Sequence, residues 1–348
     1  QDLGDYAFPC FSLAQQFKKS PVDIAQDLSE KLKKHETKEI ASIESAGPYV
    51  NFFINKHLLA KEVIKQTKKK SWGTLKLDTK KIGIEYPGPN TNKELHLGHL
   101  RNMATGDSIY NILQSVGNNV YHVNIYNDRG VHISKSMIAY ETYAKGKTPE
   151  SVKKKSDHFV GELYSTFGKE AQKNKKLEQE AQDMLQKWEE GDKKTIALWK
   201  KLNSWVYKGM QETFDAFGMI KIDKDYYESE MYKEGKDIVQ KGLKKKIFHT
   251  KEDGAIAIDL EKEKLGEKIL LRADGTSIYI TQDLYLAEKR INDFKLDASY
   301  YVVGNEQEYH FKTLFTILEK LGLKKDLKHV SYGMIALPSG KMKSREGT

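Results

Sequence analysis

Residues 81–99 read Lys81-Ile82-Gly83-Ile84-Glu85-Tyr86-Pro87-Gly88-Pro89-Asn90-Thr91-Asn92-Lys93-Glu94-Leu95-His96-Leu97-Gly98-His99, and this stretch decides the fold. Lys81 to Tyr86 has the apolar, β-favouring character of a strand. Two prolines and a glycine within Pro87-Gly88-Pro89-Asn90 then end it, because no helix or strand interior tolerates that run. The spacing predicts a helix from Leu95 to Val116, closed by Gly117, and a second strand over Asn119–Ile125. Strand, turn, helix and strand make a βαβ unit, which favours an α/β fold with a parallel sheet.

Downstream of this unit, residues 135–218 read as mostly helical. Trp188, Leu198, Trp199, Leu202, Trp205 and Val206 recur at helical spacing, which predicts a helical insertion with an aromatic core. Strands are expected at 255–260, 268–272, 277–281 and 299–303, a helix over 310–321 and a last strand over 330–337. Upstream, residues 1–75 read as a small α+β domain. Ser20-Pro21 marks a helix start, with Ile24, Ala25, Leu28 and Leu32 on one face. Tyr49–Ile54 reads as a strand, and the polar, lysine-rich segment 66–80 as a linker. The expected division is therefore 1–75, 76–134, 135–218 and 219–348.

Composition narrows the function classes. The chain has 348 residues, 58 Lys+Arg against 49 Asp+Glu, and a formal charge of +9. Aromatic residues are too plentiful for a disordered chain. No apolar run approaches the roughly 18–20 residues of a membrane span. The single cysteine, Cys10, excludes an internal disulfide and a cysteine-built zinc site, and reads as a packed small residue. A reducing, cytoplasmic setting follows as the expectation. The sequence opens on Gln1 rather than Met, so it is expected to begin inside a longer protein. The basic excess fits either a solvated surface or a polyanionic partner, and charge alone does not choose.

Chemistry concentrates at two places. In the turn 89–99, two imidazoles stand three residues apart at a helix start. Gly98 between them lets a flat ligand approach the backbone, and the helix N-terminus suits phosphate oxygens. Lys93 adds a mobile cation. The second place is Gly340-Lys341-Met342-Lys343-Ser344-Arg345-Glu346-Gly347-Thr348, a basic loop able to close over a polyphosphate. Among the other histidines, only His132 is placed where it could edge such a site.

His96-Leu97-Gly98-His99 resembles the H-I-G-H signature of class I aminoacyl-tRNA synthetases, and Lys341-Met342-Lys343-Ser344 resembles a divergent K-M-S-K-S loop. Glu85–Asn90, Gly98–Asn102, Asn127-Asp128-Arg129-Gly130, Asp157–Gly161 and Arg272–Thr276 are similar to the arginyl-tRNA synthetase family in particular. Gly4-Asp5-Tyr6 and Gly47–Phe52 resemble that family's additional N-terminal domain. The resemblance covers nearly the whole chain. It implies a Rossmann-type catalytic domain that activates L-arginine with ATP and Mg2+ and charges tRNA(Arg), with no metal held by protein ligands, and a monomer is expected. By resemblance, His96, His99, Lys93 and Lys341 carry catalysis. Pro89, His96, Gly98, His99, Gly304, Lys341 and Met342 bind ATP. Glu85, Gly88, Asn90, His99, Tyr279, Asp283 and Gln307 bind arginine, with Asp283 as the guanidinium partner. Asn51 and Phe52 are candidates for tRNA contact. Tyr279 and Asp283 are four apart, which on a helix turns both toward one pocket.

One departure matters. Ser344 stands where the signature loop has its second lysine, and the resemblance assigns that duty to Lys93, just before the histidines. The family's anticodon-binding domain would follow the loop at which this sequence stops. Two other readings remain open on the residues alone: a class I synthetase for another amino acid, and a tRNA-binding or regulatory module without turnover.

Overall fold

The computed structural model describes residues 3–35, 37–69, 71–74, 79–232, 234–276, 278–337 and 340–341, with the backbone alone for Ala336, Leu337, Gly340 and Lys341. The chain forms two compact units, Gln1–Thr74 and Leu75–Thr348.

In the first unit, strands β1 (Tyr6–Pro9), β2 (Ile40–Ala46) and β3 (Tyr49–Ile54) make an antiparallel sheet in the order β1-β3-β2. Helices α1 (Ala14–Phe17), α2 (Pro21–Lys33) and α3 (Lys56–Thr67) accompany it. The Ser20 hydroxyl caps α2 by accepting the Asp23 N–H at 3.1 Å, with Pro21 in the first turn as the sequence suggests. Ile24 and Ala25 of α2 pack with Cys10, Ile43 and Val50 as the core of this unit.

The second unit is built on a five-stranded parallel sheet of β4 (Lys81–Glu85), β5 (Asn119–Tyr126), β6 (Lys224–Tyr227), β10 (Ala298–Gly304) and β11 (Asp326–Tyr332). Helix α4 (Leu97–Ser115) connects β4 to β5 and completes the βαβ unit. Between β5 and β6 the chain forms α5 (Val131–Ala139), α6 (Ser156–Lys173), α7 (Lys176–Glu190) and α8 (Lys193–Phe217). Their shared core holds Phe159, Phe167, Leu202, Met210 and Phe214, with Trp199 and Trp205 packed against it.

After β6 come α9 (Glu228–Met231), α10 (Gly235–Lys244) and a small antiparallel sheet of β7 (His249–Thr250), β8 (Ile256–Leu260) and β9 (Gly266–Leu271). Helix α11 (Tyr279–Phe294) leads to β10, and α12 (Glu308–Lys320) to β11. A hairpin of β12 (Ala336–Leu337) and β13 (Gly340–Lys341) ends the described chain.

The structure corrects the strand expected over 277–281, since α11 begins at Tyr279. The β-branched and aromatic run Ile278-Tyr279-Ile280-Thr281 suggested a strand, but Ile280, Leu284, Ala287 and Ile291 are all buried at spacings of three and four. Burial along that one helical stripe outweighs local strand propensity. The strand expected over 330–337 is also divided, into β11 and β12.

The sheet order is β11-β10-β4-β5-β6. Chain order therefore runs outward from β4 through β5 to β6, then returns to β4's other side with β10. The crevice beyond the carboxyl ends of β4 and β10 is such a reversal point, where open parallel sheets bind ligands.

Tyr86, next after β4, secures this region. Its ring stacks on buried His122 of β5 at 3.7 Å, and its hydroxyl donates to Asp107 at 2.7 Å. The ring lies so close to Gly106 of α4 that any Cβ there would overlap it. Glycine at 106 thus lets the helix approach the sheet. Fully burying an apolar side chain such as Ile82 or Ile84 beneath it contributes ~1.5–3 kcal/mol.

Candidate active site

A cavity of about 640 Å³ lies at the strand-order reversal. Glu85, Gly88, Asn90, His96, Gly98, His99, Asp283, Gly304 and Gln307 all line it. These residues come from the end of β4 and the turn after it, the start of α4, the helix α11, the end of β10 and the entry to α12.

The turn after β4 is held by polar contacts to β5 and beyond. The Gly88 N–H donates to the Asn124 carboxamide at 3.1 Å, and the Asn127 N–H donates to the Pro89 carbonyl at 3.1 Å. Gly88 has φ +60°, a left-handed conformation that glycine adopts without a Cβ penalty.

His96 is the N-cap of α4, in an extended conformation. Its Nδ1 accepts the Gly98 N–H at 3.0 Å, and the His99 Nδ1 accepts the His96 N–H at 3.1 Å. The two imidazoles thus cap their own helix in the manner of a capping box. A ring nitrogen that accepts a hydrogen bond carries no proton, so each neutral ring carries its proton on Nε2. Burial pushes His99 down to about 3, helped by His96 and the Lys93 cation. Burial and Lys93 also lower His96. Both rings are therefore neutral Nε2–H donors at neutral pH, suited to phosphate oxygens and not to removing protons.

This has a consequence for stability. In the unfolded chain His99 takes up its proton near pH 6.5, whereas in the fold it resists protonation down to about pH 3. The stabilising effect is complete above pH 6.5 and is lost as pH falls below it. His122 is also lowered by burial and acts in the same sense. His310 is raised, chiefly by its hydrogen bond to Asp283, and acts oppositely: its stabilising effect is present below the unfolded value and lost as pH rises. Replacing His99 with Gln is expected to flatten the decline of the denaturation midpoint between about pH 6.5 and 5. An unchanged slope would show that His99 does not resist protonation.

On the carboxylate side, Asp283 Oδ2 meets His310 Nε2 at 2.7 Å. Both residues line the cavity. Glu85 forms an ion pair with Arg290, whose side chain is 1% exposed. The Arg290 guanidinium lies between Tyr226 and Tyr301, 5.4 and 5.6 Å from the ring centroids. Burial alone would pull Arg290 down, but the Glu85 carboxylate together with Tyr301 and Tyr226 more than offsets it, so the group stays cationic. Glu228 is buried as well, and burial pushes it up to about 7, with Arg129 opposing and Asp128 and Asp283 adding. Asp128 itself accepts from Tyr207 at 2.9 Å and from the Ser229 N–H and hydroxyl at 2.9 and 2.8 Å, while its carbonyl accepts the Trp199 indole N–H at 2.7 Å. The Asn-Asp-Arg-Gly turn thus ties the helical insertion to the segment after β6.

Tyr332 at the end of β11, with Met334 and Ile335 just beyond it, also lines the cavity. Met334 sits close enough to Gly304 that a Cβ there would stand 2.9 Å from its sulfur. Asn102 of α4 donates to the Val302 carbonyl at 2.6 Å and to the Tyr332 hydroxyl at 2.9 Å. Arg101 donates to the Gly333 carbonyl at 2.6 Å. The histidine-bearing helix is thereby bonded to the strand that leads into the hairpin containing Lys341.

Several expected residues fall elsewhere. Tyr279 is 73% exposed and does not line the cavity, although Asp283 one turn along the helix does. His132 meets the Tyr164 hydroxyl at 3.1 Å and is not in the cavity wall. Asn51 is 4% exposed and lies against Gly4, so it presents no surface for tRNA. Phe52 packs on the core of the first unit. Pro89 supports the turn through its carbonyl but is not in the wall, and neither is Lys93, whose charge nonetheless reaches both imidazoles. Lys341 is described by its backbone in β13, and Met342, Lys343 and Ser344 lie outside the described residues.

Conversely, Arg290, His310 and Glu228 escaped the sequence reading. Arg290 and His310 sit on amphipathic helices where a lone charge reads as solvated. Glu228 was signalled only by its place between the tyrosines of Tyr226-Tyr227 and Met231.

Comparison with known proteins bears on the family. The family model for tRNA synthetases class I (R), catalytic domain, matches residues 59–348, and that for the arginyl tRNA synthetase N terminal domain matches residues 1–54. The chain is 51% identical to an arginine–tRNA ligase of Treponema denticola, covering 100% of this chain and 60% of that protein. It is 45% identical to one of Borreliella burgdorferi, with 99% and 60% covered. The chain thus spans about 60% of the length of the curated relatives it matches. Among solved structures, arginyl-tRNA synthetase of Thermus thermophilus shares the fold with a TM-score of 0.69 at 22% identity, covering 98% of this chain and 62% of that one. With both family models matched in order along one chain, and the paired imidazoles set at the reversal of a parallel sheet, this chain belongs to the arginyl family of class I tRNA synthetases.

Proposed function

We propose that this chain carries the site that activates L-arginine and passes it to tRNA(Arg). The arginine carboxylate attacks the α-phosphate of ATP, which enters as its Mg2+ complex, and pyrophosphate leaves. The arginyl group of the adenylate then moves to the terminal adenosine of the tRNA. The observation that carries this reading is the convergence of two neutral Nε2–H imidazoles and the Asp283 carboxylate on one cavity.

The nucleophile is already ionised, so no general base is needed. Catalysis rests on positioning and on donors aimed at the charge that develops on phosphate. His96 and His99 supply those donors, with Gly98 leaving the backbone accessible, and Gly304 lies where the nucleotide passes. Asp283 accepts the planar guanidinium, a fork that lysine's ammonium does not reproduce. Asn90, Gln307 and the Gly88 backbone are left to orient the α-amino and carboxylate groups. The exposed aromatic side chains of β1, Tyr6 and Phe8, give the first unit stacking surfaces for the tRNA. The reaction's setting is the cytoplasm.

Two substitutions test the roles. Asp283→Ala should raise the KM for arginine about 10²-fold, as for loss of a charged hydrogen bond of ~3 kcal/mol, while leaving ATP binding nearly unchanged. Equal losses for both substrates would remove Asp283 from guanidinium recognition. Lys93→Ala should slow tRNA-dependent ATP–pyrophosphate exchange more than Lys343→Ala does. The reverse order would return the α-phosphate contact to the loop.

A further inference from the structure

We propose that His310 is a positioning residue for arginine: it holds the Asp283 carboxylate in the empty site and releases a proton to solvent as the guanidinium takes its place beside that carboxylate. This rests on the reading of Asp283 as the guanidinium partner.

The geometry is direct. His310 lies in the first turn of α12 and Asp283 in the first turns of α11, and their side chains meet at Nε2 and Oδ2, 2.7 Å apart, in the cavity wall. Both are partly buried, with side-chain exposures of 29% and 35%, so the ring is shielded but not cut off from water. The ring also stands edge-on to Phe311, at 5.7 Å, which limits its rotation.

The carboxylate favours the imidazolium, and His310 is accordingly raised, with the hydrogen bond to Asp283 as the leading cause. A carboxylate offers two oxygens and about four lone pairs, so Oδ1 and the remaining face of Oδ2 can accept a bidentate guanidinium. A second cation at that carboxylate repels the imidazolium charge, and the proton leaves for solvent. The neutral ring keeps its Nε2–H on Oδ2 and orients the carboxylate. No bond between heavy atoms forms or breaks.

Other charged or titratable groups surround this pair. Arg290 lies two turns along α11, and its partner Glu85 is on β4. Tyr301 of β10 and Glu306 and Gln307 before α12 share the cavity wall. Glu308 of α12 is engaged by Ser331, and His329 of β11 stacks on Phe311. Tyr309 bonds the Leu265 carbonyl. Glu228, raised to about 7, and Glu85, raised by burial, both sense Asp283 and are the other carboxyl groups here whose protons a new cation would loosen, while His96 and His99 share the cavity wall.

The test is calorimetric titration of L-arginine into the chain, between about pH 6 and 8, in two buffers of different ionisation heat. The expected result is net proton release on binding, with affinity falling toward about tenfold per pH unit on the acid side. In His310→Gln, which retains a donor for Asp283, release and pH dependence should both vanish. No release in the parent overturns the proposal, as does release that survives His310→Gln, whether or not Glu228→Gln abolishes it. Should His310→Gln fail to fold, NMR titration of the His310 ring in the parent must show its pKa falling at saturating arginine. An unmoved or rising value overturns the proposal. Asp283→Asn separates the two readings. If it weakens arginine binding while the parent releases no proton, only the role of His310 fails. If it leaves affinity unchanged, the reading of Asp283 fails and this proposal with it, and an absence of arginine binding in the parent defeats both.

Discussion

Arg290→Met should cost ~3–5 kcal/mol of unfolding stability, a large effect for a single substitution. The guanidinium side chain is 1% exposed and pairs with Glu85, itself 13% exposed. Methionine fills much of the same volume and removes the charge together with the guanidinium's donors. Glu85 is then left buried without its counter-ion, and burial drives it to take up a proton. The double variant Glu85→Gln with Arg290→Met should recover most of the loss, because no uncompensated charge remains. Arg290 Nε and Nη2 have no hydrogen-bond partner among the described residues, so the pair's net worth is smaller than the cost of breaking it. Urea denaturation read by tryptophan fluorescence measures both variants. A loss below about 1 kcal/mol for Arg290→Met would show that the pair is solvated in the folded chain.

His99→Ala should lower the rate of adenylate formation by about 10²–10³-fold, the range found when a donor to developing charge is removed. Two effects combine. The Nε2–H donor is lost from the cavity, and the His96 N–H loses its acceptor at the start of α4. The second effect alone is a cap loss of ~1 kcal/mol. His99→Asn separates them, since its carboxamide oxygen can still cap the helix but its N–H groups fall short of the imidazole's reach. Asparagine should therefore recover stability and leave most of the rate deficit. The measurement is ATP–pyrophosphate exchange with arginine and tRNA present. A loss of less than about tenfold in His99→Ala would mean that backbone N–H groups, not the imidazole, stabilise the transition state.

Much of this site was legible in the residues. The run from Lys81 to His99 announces its strand by composition, its turn by two prolines and a glycine, and its helix by apolar spacing, all of which are local signals. The aromatic periodicity of the insertion and the Ser20-Pro21 helix start are local in the same way. Asp283 and Tyr279 were both assigned by resemblance to the family; Asp283 lines the cavity, whereas Tyr279 at the start of α11 is exposed. Asn51 was read from its motif, and the motif does not record that Gly4 covers it.

The βαβ unit, the imidazole pair at a helix start and the family could be read from the residues in order, because turn chemistry, periodicity and short motifs act over a few residues. Which charges meet depended on the folded arrangement. Glu85 finds Arg290, and Asp283 finds His310, through the return of the chain to β10 beside β4. Those partners lie far apart along the chain, and a lone charged side chain on an amphipathic helix carries no local mark of whether water or a buried counter-ion will satisfy it.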